Sequence, residues 1–329
     1  MKVFVTGATG YVGHELALRL AGENFKVVAL VRDLNSEKIP KHKNIAMVKG
    51  DICDFNSVEK AVKGCNYVFH TAAFTNLKCK SVDNFYCTNV LGTENVLKAS
   101  QMHKVKKVIY TSTLSVFGPS YKEVPITETQ PRIASFANDY ELTKSMAEDV
   151  VKKYVKGGLS CVVLNVSKVY GPGLSTFSTG VNKLITMFMQ KDFLVVPNKL
   201  ESISNYVFID DVVNAHLLAM KSQRYYGKFI IGGENISYRN LFLLIKKLTH
   251  SNIKILKIHY GSVKAFFSIA NLLYALIRAV PSITPKVLDF LFVNRVSTSD
   301  KAMAELKYQA TPLDVGLQRT IKHLKSSSS

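Results

Sequence analysis

The stretch VTGATGYVGHELALRL (Val5–Leu20) places Gly7, Gly10 and Gly13 between an apolar β-branched run and an amphipathic helical pattern. A tight strand-to-helix turn needs a residue free of Cβ constraint, which is the role read for Gly7. Gly10 lets a pyrophosphate approach bare backbone, and Gly13 lets the helix pack close on its strand. The helix N-terminus offers unpaired N–H donors and partial positive charge to phosphate, with Thr9, Tyr11 and Val12 sharing the turn. The turn is therefore read as a dinucleotide site.

Working outward, short β-branched runs alternate with helical patterns. Strands are predicted at 2–6, 26–31, 45–48, 66–70, 107–112, 160–166 and 228–231. Helices are predicted near 11–21, 57–62, 84–102 and 138–154. This alternation, with nearly continuous apolar residues in the first strands, predicts an α/β fold with a Rossmann-type doubly wound parallel sheet. After VYGPG (Val169–Gly173) loops lengthen and helices dominate. The expected division is a dinucleotide-binding domain at 1–171 plus 205–232, a smaller, mainly helical substrate lobe at 172–204 plus 233–325, and a disordered tail at 326–329.

The end of the second strand reads VVALVRD, with Arg32 and then Asp33. An acidic residue there suits a free ribose 2′-OH, whereas a guanidinium suits a 2′-phosphate. Arg32 favours NADP(H) over NAD(H); Asp33 serving the ribose is the alternative. Asp51, after the third strand, is placed to accept from the adenine amino group, with Ile52 flanking the ring. HTAAF (His70–Phe74) ends the fourth strand with small residues, so Thr71, Ala72 and Ala73 are expected against the cofactor and Phe74 near the substrate.

Tyr140 and Lys144 in NDYELTKSMAED are four residues apart on a predicted helix and so share a face. A phenol is a poor acid–base group at neutral pH, and a neighbouring ammonium is expected to lower its pKa. Bringing it near 7 takes roughly 4 kcal/mol. Tyr140 is then the acid/base and Lys144 its tuning partner. Thr113, at the end of the fifth strand, orients the carbonyl, with Ser112 as the fallback. The same spacing recurs at Tyr260 and Lys264, among C-terminal helices far from any cofactor strand, where a packing role is expected.

The 329 residues are 47% apolar and 20% charged, which excludes wholesale disorder. The formal charge of +19 comes from dispersed lysines with no nucleic-acid-binding signature, and is read as a solvated surface. Five scattered cysteines without CxxC pairs indicate free thiols in a reducing compartment and no metal site. MKVFVTG opens directly on a strand, so no signal peptide is expected, and the run at 265–280 is too short and too polar to be expected to span a membrane. A cytoplasmic protein is expected, with peripheral membrane contact left open.

Taken together, TGATGYVG, GDICD, HTAA, NVLGTENVL, STLSVFG, Tyr140-x-x-x-Lys144, VYGPG and VFIDDVVNAHLLA resemble the extended short-chain dehydrogenases/reductases over nearly the whole chain. The resemblance implies that Asn89 lines the cofactor region, that Ser167 to Val169, including Lys168, sit beside the nicotinamide and substrate, and that the helices containing 84–102 and 138–154 form a homodimer. The family contains nucleotide-sugar enzymes and a group resembling dihydroflavonol reductases and 3β-hydroxysteroid dehydrogenases. Where sugar enzymes often carry a diphosphate-gripping Arg, this chain has Ser204 and Asn205; where they often carry Arg and Asn, it has Asn165 and Lys168. Leu114 follows Thr113 in place of the dehydratase Asp–Glu pair. The apolar stretch at 260–292 is consistent with a greasy pocket, a dimer contact or a membrane surface. The expected activity is ketone/alcohol interconversion on a small apolar substrate. The alternatives are a nucleotide-sugar epimerase or reductase, and a non-catalytic NADP(H)-binding sensor or scaffold.

Overall fold

A computed structural model describes residues 1–77, 79, 81–121, 124–132, 135–176, 179–276 and 285–326. Its strands are β1 (Lys2–Thr6), β2 (Lys26–Val31), β3 (Ile45–Lys49), β4 (Tyr67–His70), β5 (Lys107–Thr113), β6 (Cys161–Val166), β7 (Lys168–Tyr170), β8 (Phe193–Pro197), β9 (Ile203–Phe208), β10 (Tyr226–Ile231), β11 (Glu234–Ser237) and β12 (Lys254–Ile258). Its helices are α1 (Tyr11–Gly22), α2 (Phe55–Val62), α3 (Val82–Tyr86), α4 (Gly92–Met102), α5 (Asp139–Lys156), α6 (Gly180–Gln190), α7 (Ile209–Lys221), α8 (Tyr238–Thr249), α9 (Tyr260–Leu276), α10 (Pro285–Leu291), α11 (Asp300–Leu306) and α12 (Leu313–Ser326).

Seven strands form one parallel sheet in the order β3-β2-β1-β4-β5-β6-β10, a Rossmann-type arrangement. β1 shows why both faces must be covered. Val3 and Val5 enter one apolar cluster with residues of α1 and α7, while Phe4 enters the other with residues of α2, α4 and α5. Alternate residues of a strand point to opposite faces, so an unbroken apolar strand buries on both. The chain winds one way from β1 to β2 and the other way to β4. That reversal opens a crevice at the carboxyl ends of β1 and β4, where ligands bind in such sheets.

Three features differ from the sequence expectation. β9 was expected in the main sheet, within 205–232. It pairs instead with β7 and β11 in a second, three-stranded sheet. The physical reason lies at Ser167, whose N–H still bonds Ile231 O at 3.0 Å; beyond it the chain leaves β10 and β7 takes β9 as its neighbour. The region after 172 also contains a parallel two-stranded sheet, β8 with β12, built from FLVVP and KILKI. Finally, the helix expected across 84–102 is interrupted by a π-helical turn at Cys87–Leu91.

The 326–329 tail expectation falls largely on residues 327–329, outside the described residues; Ser326 closes α12. No helix among the described residues is long and apolar enough to cross a membrane.

Candidate active site

Gly7 adopts φ +76°, and a Cβ there would stand 2.7 Å from Ala72 N. A Cβ on Gly13 would meet Gly7 O at 2.2 Å and Thr71 Oγ1 at 2.4 Å, so the helix start sits against the turn with no room for a side chain. Gly10 caps α1 without a side-chain hydrogen bond, and the first helical bond runs from His14 N–H to Gly10 O. The backbone donors of Tyr11, Val12 and Gly13 thus face a crevice with no side-chain cap. β4 is fastened beside them: Thr71 Oγ1 donates to Thr6 O at 2.7 Å, and Ala72 N–H to Thr6 Oγ1 at 3.3 Å. This cradle fits a dinucleotide pyrophosphate.

One cavity of about 820 Å³ runs over this turn. Thr9, Asp51, Ile52, Thr71, Ala72, Ala73, Phe74, Ser112, Thr113, Tyr140, Lys144, Ser167, Lys168 and Val169 all line it, as does Arg32 at its rim. Lys38, unmarked in the sequence, joins Arg32 at that rim. The Asp33 carboxylate instead accepts from the N–H of Asn35 at 2.9 Å and is absent from the lining.

Asn89 is the exception among the expected cofactor residues, since it does not line the cavity. It is buried in the π-turn, behind the wall. Its Oδ1 accepts from Phe74 N–H at 2.7 Å, and its Nδ2 donates to Phe74 O at 3.2 Å and Thr143 Oγ1 at 3.0 Å. It clamps the cavity-lining segment after β4 to α5.

Tyr140 sits in the first turn of α5, where local chemistry fixes the helix start. Asn138 Oδ1 accepts from Glu141 N–H at 2.9 Å, and Glu141 Oε2 accepts from Ala137 N–H at 2.9 Å, close to a reciprocal capping box. Glu141 Oε1 also receives Arg295 at 2.9 Å, and Arg295 reaches Phe290 O at 3.0 Å. α5 is thereby tied to the 290–292 wall of the cavity.

Lys144, one turn on, is 2% exposed; its Nζ donates to Thr111 O at 2.7 Å and lies 4.2 Å from the Tyr110 ring centre. Burial pulls its pKa down from 10.5 to about 7, opposed by the nearby Glu148 carboxylate. Tyr140 departs from the sequence expectation of a lowered pKa. Surrounding protein pushes its phenol up to about 12, with the Thr113 hydroxyl acting in the lowering direction. Desolvation of the phenolate is the largest effect, so the chain alone holds Tyr140 protonated.

Ser112, the fallback for Thr113, is otherwise engaged: its Oγ donates to Glu148 Oε1 at 2.5 Å. Thr113 remains at the cavity, beside Ser115.

Glu148 was missed in the sequence, although it continues the Tyr140, Lys144 spacing by another four residues. Buried beneath the site, its carboxylate accepts from Ser112 and Asn165 and pairs with Lys228 at 2.7 Å and with Arg132. Those cations hold its pKa below the usual carboxylate value. One residue thus bolts α5 to β5, β6 and β10. His70 is structural in the same sense: its ring nitrogens meet Thr6 and Thr93, and burial takes its pKa down to about 3.

Within the apolar stretch at 260–292, residues 277–284 lie outside the described residues, and the rest divides. Phe290, Leu291 and Phe292 line the cavity, while Phe266, Ile269, Leu272 and Leu273 of α9 are exposed outside it. Tyr260 and Lys264 do not approach the site; both bind Asp289, at 2.5 and 2.8 Å, joining α9 to α10. No group of three potential metal ligands occurs among the described residues.

Comparison with known proteins agrees with this geometry. A family model described as the NAD dependent epimerase/dehydratase family matches residues 3–232. A dihydroflavonol 4-reductase-like protein of Synechocystis sp. is 28% identical over 251 residues, covering 75% of this chain and 72% of the relative. The 2-alkyl-3-oxoalkanoate reductase of Stenotrophomonas maltophilia is 30% identical over 255 residues, covering 73% of each. The chain spans less of other relatives, such as 57% of short-chain dehydrogenase/reductase family 42E member 1 from Danio rerio, at 31% identity and 65% of this chain. Among solved structures, UDP-glucose 4-epimerase of Thermotoga maritima superposes with a TM-score of 0.83 at 22% identity over the full length of both chains, which shows a shared fold. The glycine turn, the seven-stranded parallel sheet and a family match over most of the chain lead to one conclusion: the protein belongs to the NAD dependent epimerase/dehydratase family.

Proposed function

We propose that this protein is an NADP(H)-dependent oxidoreductase that interconverts a ketone and a secondary alcohol on a small, apolar substrate. The observation that carries the reading is the single cavity continuous from the glycine turn, past Thr113, Tyr140 and Lys144, to an apolar wall that includes Leu184, Leu241, Phe242, Phe290 and Phe292. A nicotinamide dinucleotide bound on the turn supplies or accepts the hydride. In reduction, Tyr140 gives its phenol proton to the carbonyl oxygen, and Thr113 donates a hydrogen bond to that oxygen. Lys144 provides positive charge beside the phenol as the proton leaves. The raised pKa of Tyr140 suits donation at neutral pH.

The NADP(H) preference rests on Arg32 and Lys38 at the rim and on the engagement of Asp33 with its own turn. Two cations suit a 2′-phosphate, and neither offers the carboxylate that binds a free 2′-OH. The segments 172–204 and 233–325 act as the substrate lobe against the dinucleotide-binding unit of 1–171 plus 205–232. A homodimer through α4 and α5 belongs to the same reading, supported by exposed Leu91 and Met102 on that flank.

The reductase names of the relatives support ketone chemistry, and the apolar wall favours it over a nucleotide sugar. The test is NADPH consumption and thermal stabilisation with apolar ketones set against UDP-, GDP- and dTDP-sugars. Turnover of apolar ketones is expected; selective stabilisation by one nucleotide sugar, with no ketone turned over, overturns the reading.

A further inference from the structure

Lys168 is a cation facing the cavity with only neutral protein partners. It stands on β7, paired in register with Tyr206 of β9. Its Nζ donates to Ser204 Oγ at 2.8 Å and to Tyr238 OH at 3.0 Å, and lies 5.5 and 5.0 Å from the Tyr206 and Tyr238 ring centres. It forms no ion pair with any described residue. Tyr238 passes its own proton to Leu291 O at 2.9 Å, so it serves Lys168 purely as an acceptor. An ammonium has three donors, and the described residues take two of them.

A second observation points the same way. Tyr206 also lines the cavity and is 2% exposed; Ser204 and Tyr238 stand near enough to act on its hydroxyl, yet among the described residues no partner meets it at hydrogen-bonding geometry. Burial raises its pKa, so it stays a phenol and a donor. Ser167, adjacent in sequence to Lys168, likewise leaves a buried hydroxyl unpaired at the cavity. Leaving a buried polar group unmatched is costly, and an unpaired cation near apolar walls more so. The groups left over are a positive charge and two hydroxyls, which together suit one anionic group.

We propose that Lys168, Tyr206 and Ser167 form an anion-binding subsite of the substrate cavity, so that the substrate is an apolar ketone or alcohol carrying a carboxylate or phosphate monoester. This deepens the reductase reading and rests on it for the chemistry, though not for the binding. The subsite lies close to the reacting centre. Val166 pairs with Thr113 across β5 and β6, Lys168 follows two residues later in the chain, and Thr113 and Lys168 line the same cavity. The anion and the carbonyl thus share one cavity, and the apolar remainder of the ligand lies against the wall formed by Phe242, Phe290 and Phe292. A nucleoside diphosphate fits less well. Asn205, at a position where sugar enzymes often carry a diphosphate-gripping Arg, is committed to Gly233 and Asn235 and brings no charge to the cavity.

The test separates binding from chemistry. Decanoate, decyl phosphate and 1-decanol are titrated calorimetrically into NADPH-loaded wild type, Lys168→Met and Lys168→Arg. At least one anion is expected to bind tenfold or more tightly than decanol in the wild type, and which anion wins identifies the source of the charge. Lys168→Met should erase that advantage, and Lys168→Arg should restore much of it. Equal affinity for anions and decanol, or an advantage that survives in Lys168→Met, overturns the subsite; unchanged melting of the variants shows that folding is not the cause. Turnover of 3-oxodecanoate against its methyl ester is the second arm. Selective anion binding without reduction of either compound sinks the reductase reading and leaves the subsite standing.

Discussion

Replacing Glu148 with Gln keeps the shape of the side chain and removes the charge that four partners share. Glu148 is 1% exposed, and its side chain is met by Ser112, Asn165, Lys228 and Arg132. Removing one partner of a buried ion pair costs about 3–5 kcal/mol, because the opposite charge is left uncompensated. Lys228 and Arg132 keep some solvent contact, at 14% and 20% side-chain exposure, which places the loss near the lower figure. With roughly 2–4 °C per kcal/mol for a large domain, the melting temperature should fall by about 6–12 °C at pH 7. The pH dependence has a definite sign. The depressed pKa of Glu148 means that its stabilisation is present above the unfolded value, 4.5, and is lost as pH falls through the lower folded value. The gap between wild type and Glu148→Gln should therefore be widest near neutrality and close in acid. The carboxylate also opposes the discharge of Lys144, so the variant should shift the Lys144 titration further below about 7 and lose activity at neutral pH. Differential scanning calorimetry from pH 2.5 to 8, with a kcat/KM profile from pH 5 to 8, measures both. Melting within 1 °C of wild type at pH 7, or a gap that does not change with pH, would refute the reasoning.

Other predictions follow from the same geometry. Arg32→Ala should raise KM for NADPH about tenfold while leaving KM for NADH nearly unchanged, in keeping with one charge-assisted contact to a 2′-phosphate; equal use of both cofactors by the wild type would contradict the assignment. Because Tyr140 is pushed up to about 12, carbonyl reduction should not be limited by its ionisation through neutral pH, whereas alcohol oxidation, which needs the phenolate, should rise steadily above it; oxidation that is flat from pH 7 to 10 would contradict this. Gly13→Ala puts a Cβ 2.2 Å from Gly7 O and should abolish NADPH binding in a fluorescence titration.

The glycine turn and the parallel strands were legible because local sequence determines them. A Cβ at Gly7 would clash with Ala72 N and one at Gly13 with Gly7 O, which selects glycine at both, and strands buried on both faces read as apolar runs. Helical spacing put Tyr140 and Lys144 on one face of a helix, and both line the cavity from α5. What sequence concealed depends on tertiary contact. Asn89 sits at a motif position suggestive of a ligand, yet its amide is spent on Phe74, a residue 15 positions away. Glu148 reads as one more surface charge on a helix until Lys228, 80 positions further along the chain, closes over it. The pKa of Tyr140 could not be read from its neighbour Lys144, because burial of both groups decides it. Lys168 carried a signal, a cation where the family often has Asn, but its neutral surroundings appear only when β9 is laid beside β7.

The most direct measurement is the NADPH oxidation rate of Tyr140→Phe on whichever ketone the wild type reduces fastest, with NADPH affinity measured on the same sample. Loss of the phenol proton should lower kcat by at least a hundredfold, within the range of general acid catalysis, while NADPH binds within about threefold of wild type. A variant that keeps a substantial part of the wild-type rate would show that the proton comes from elsewhere and that the cavity geometry has been misread.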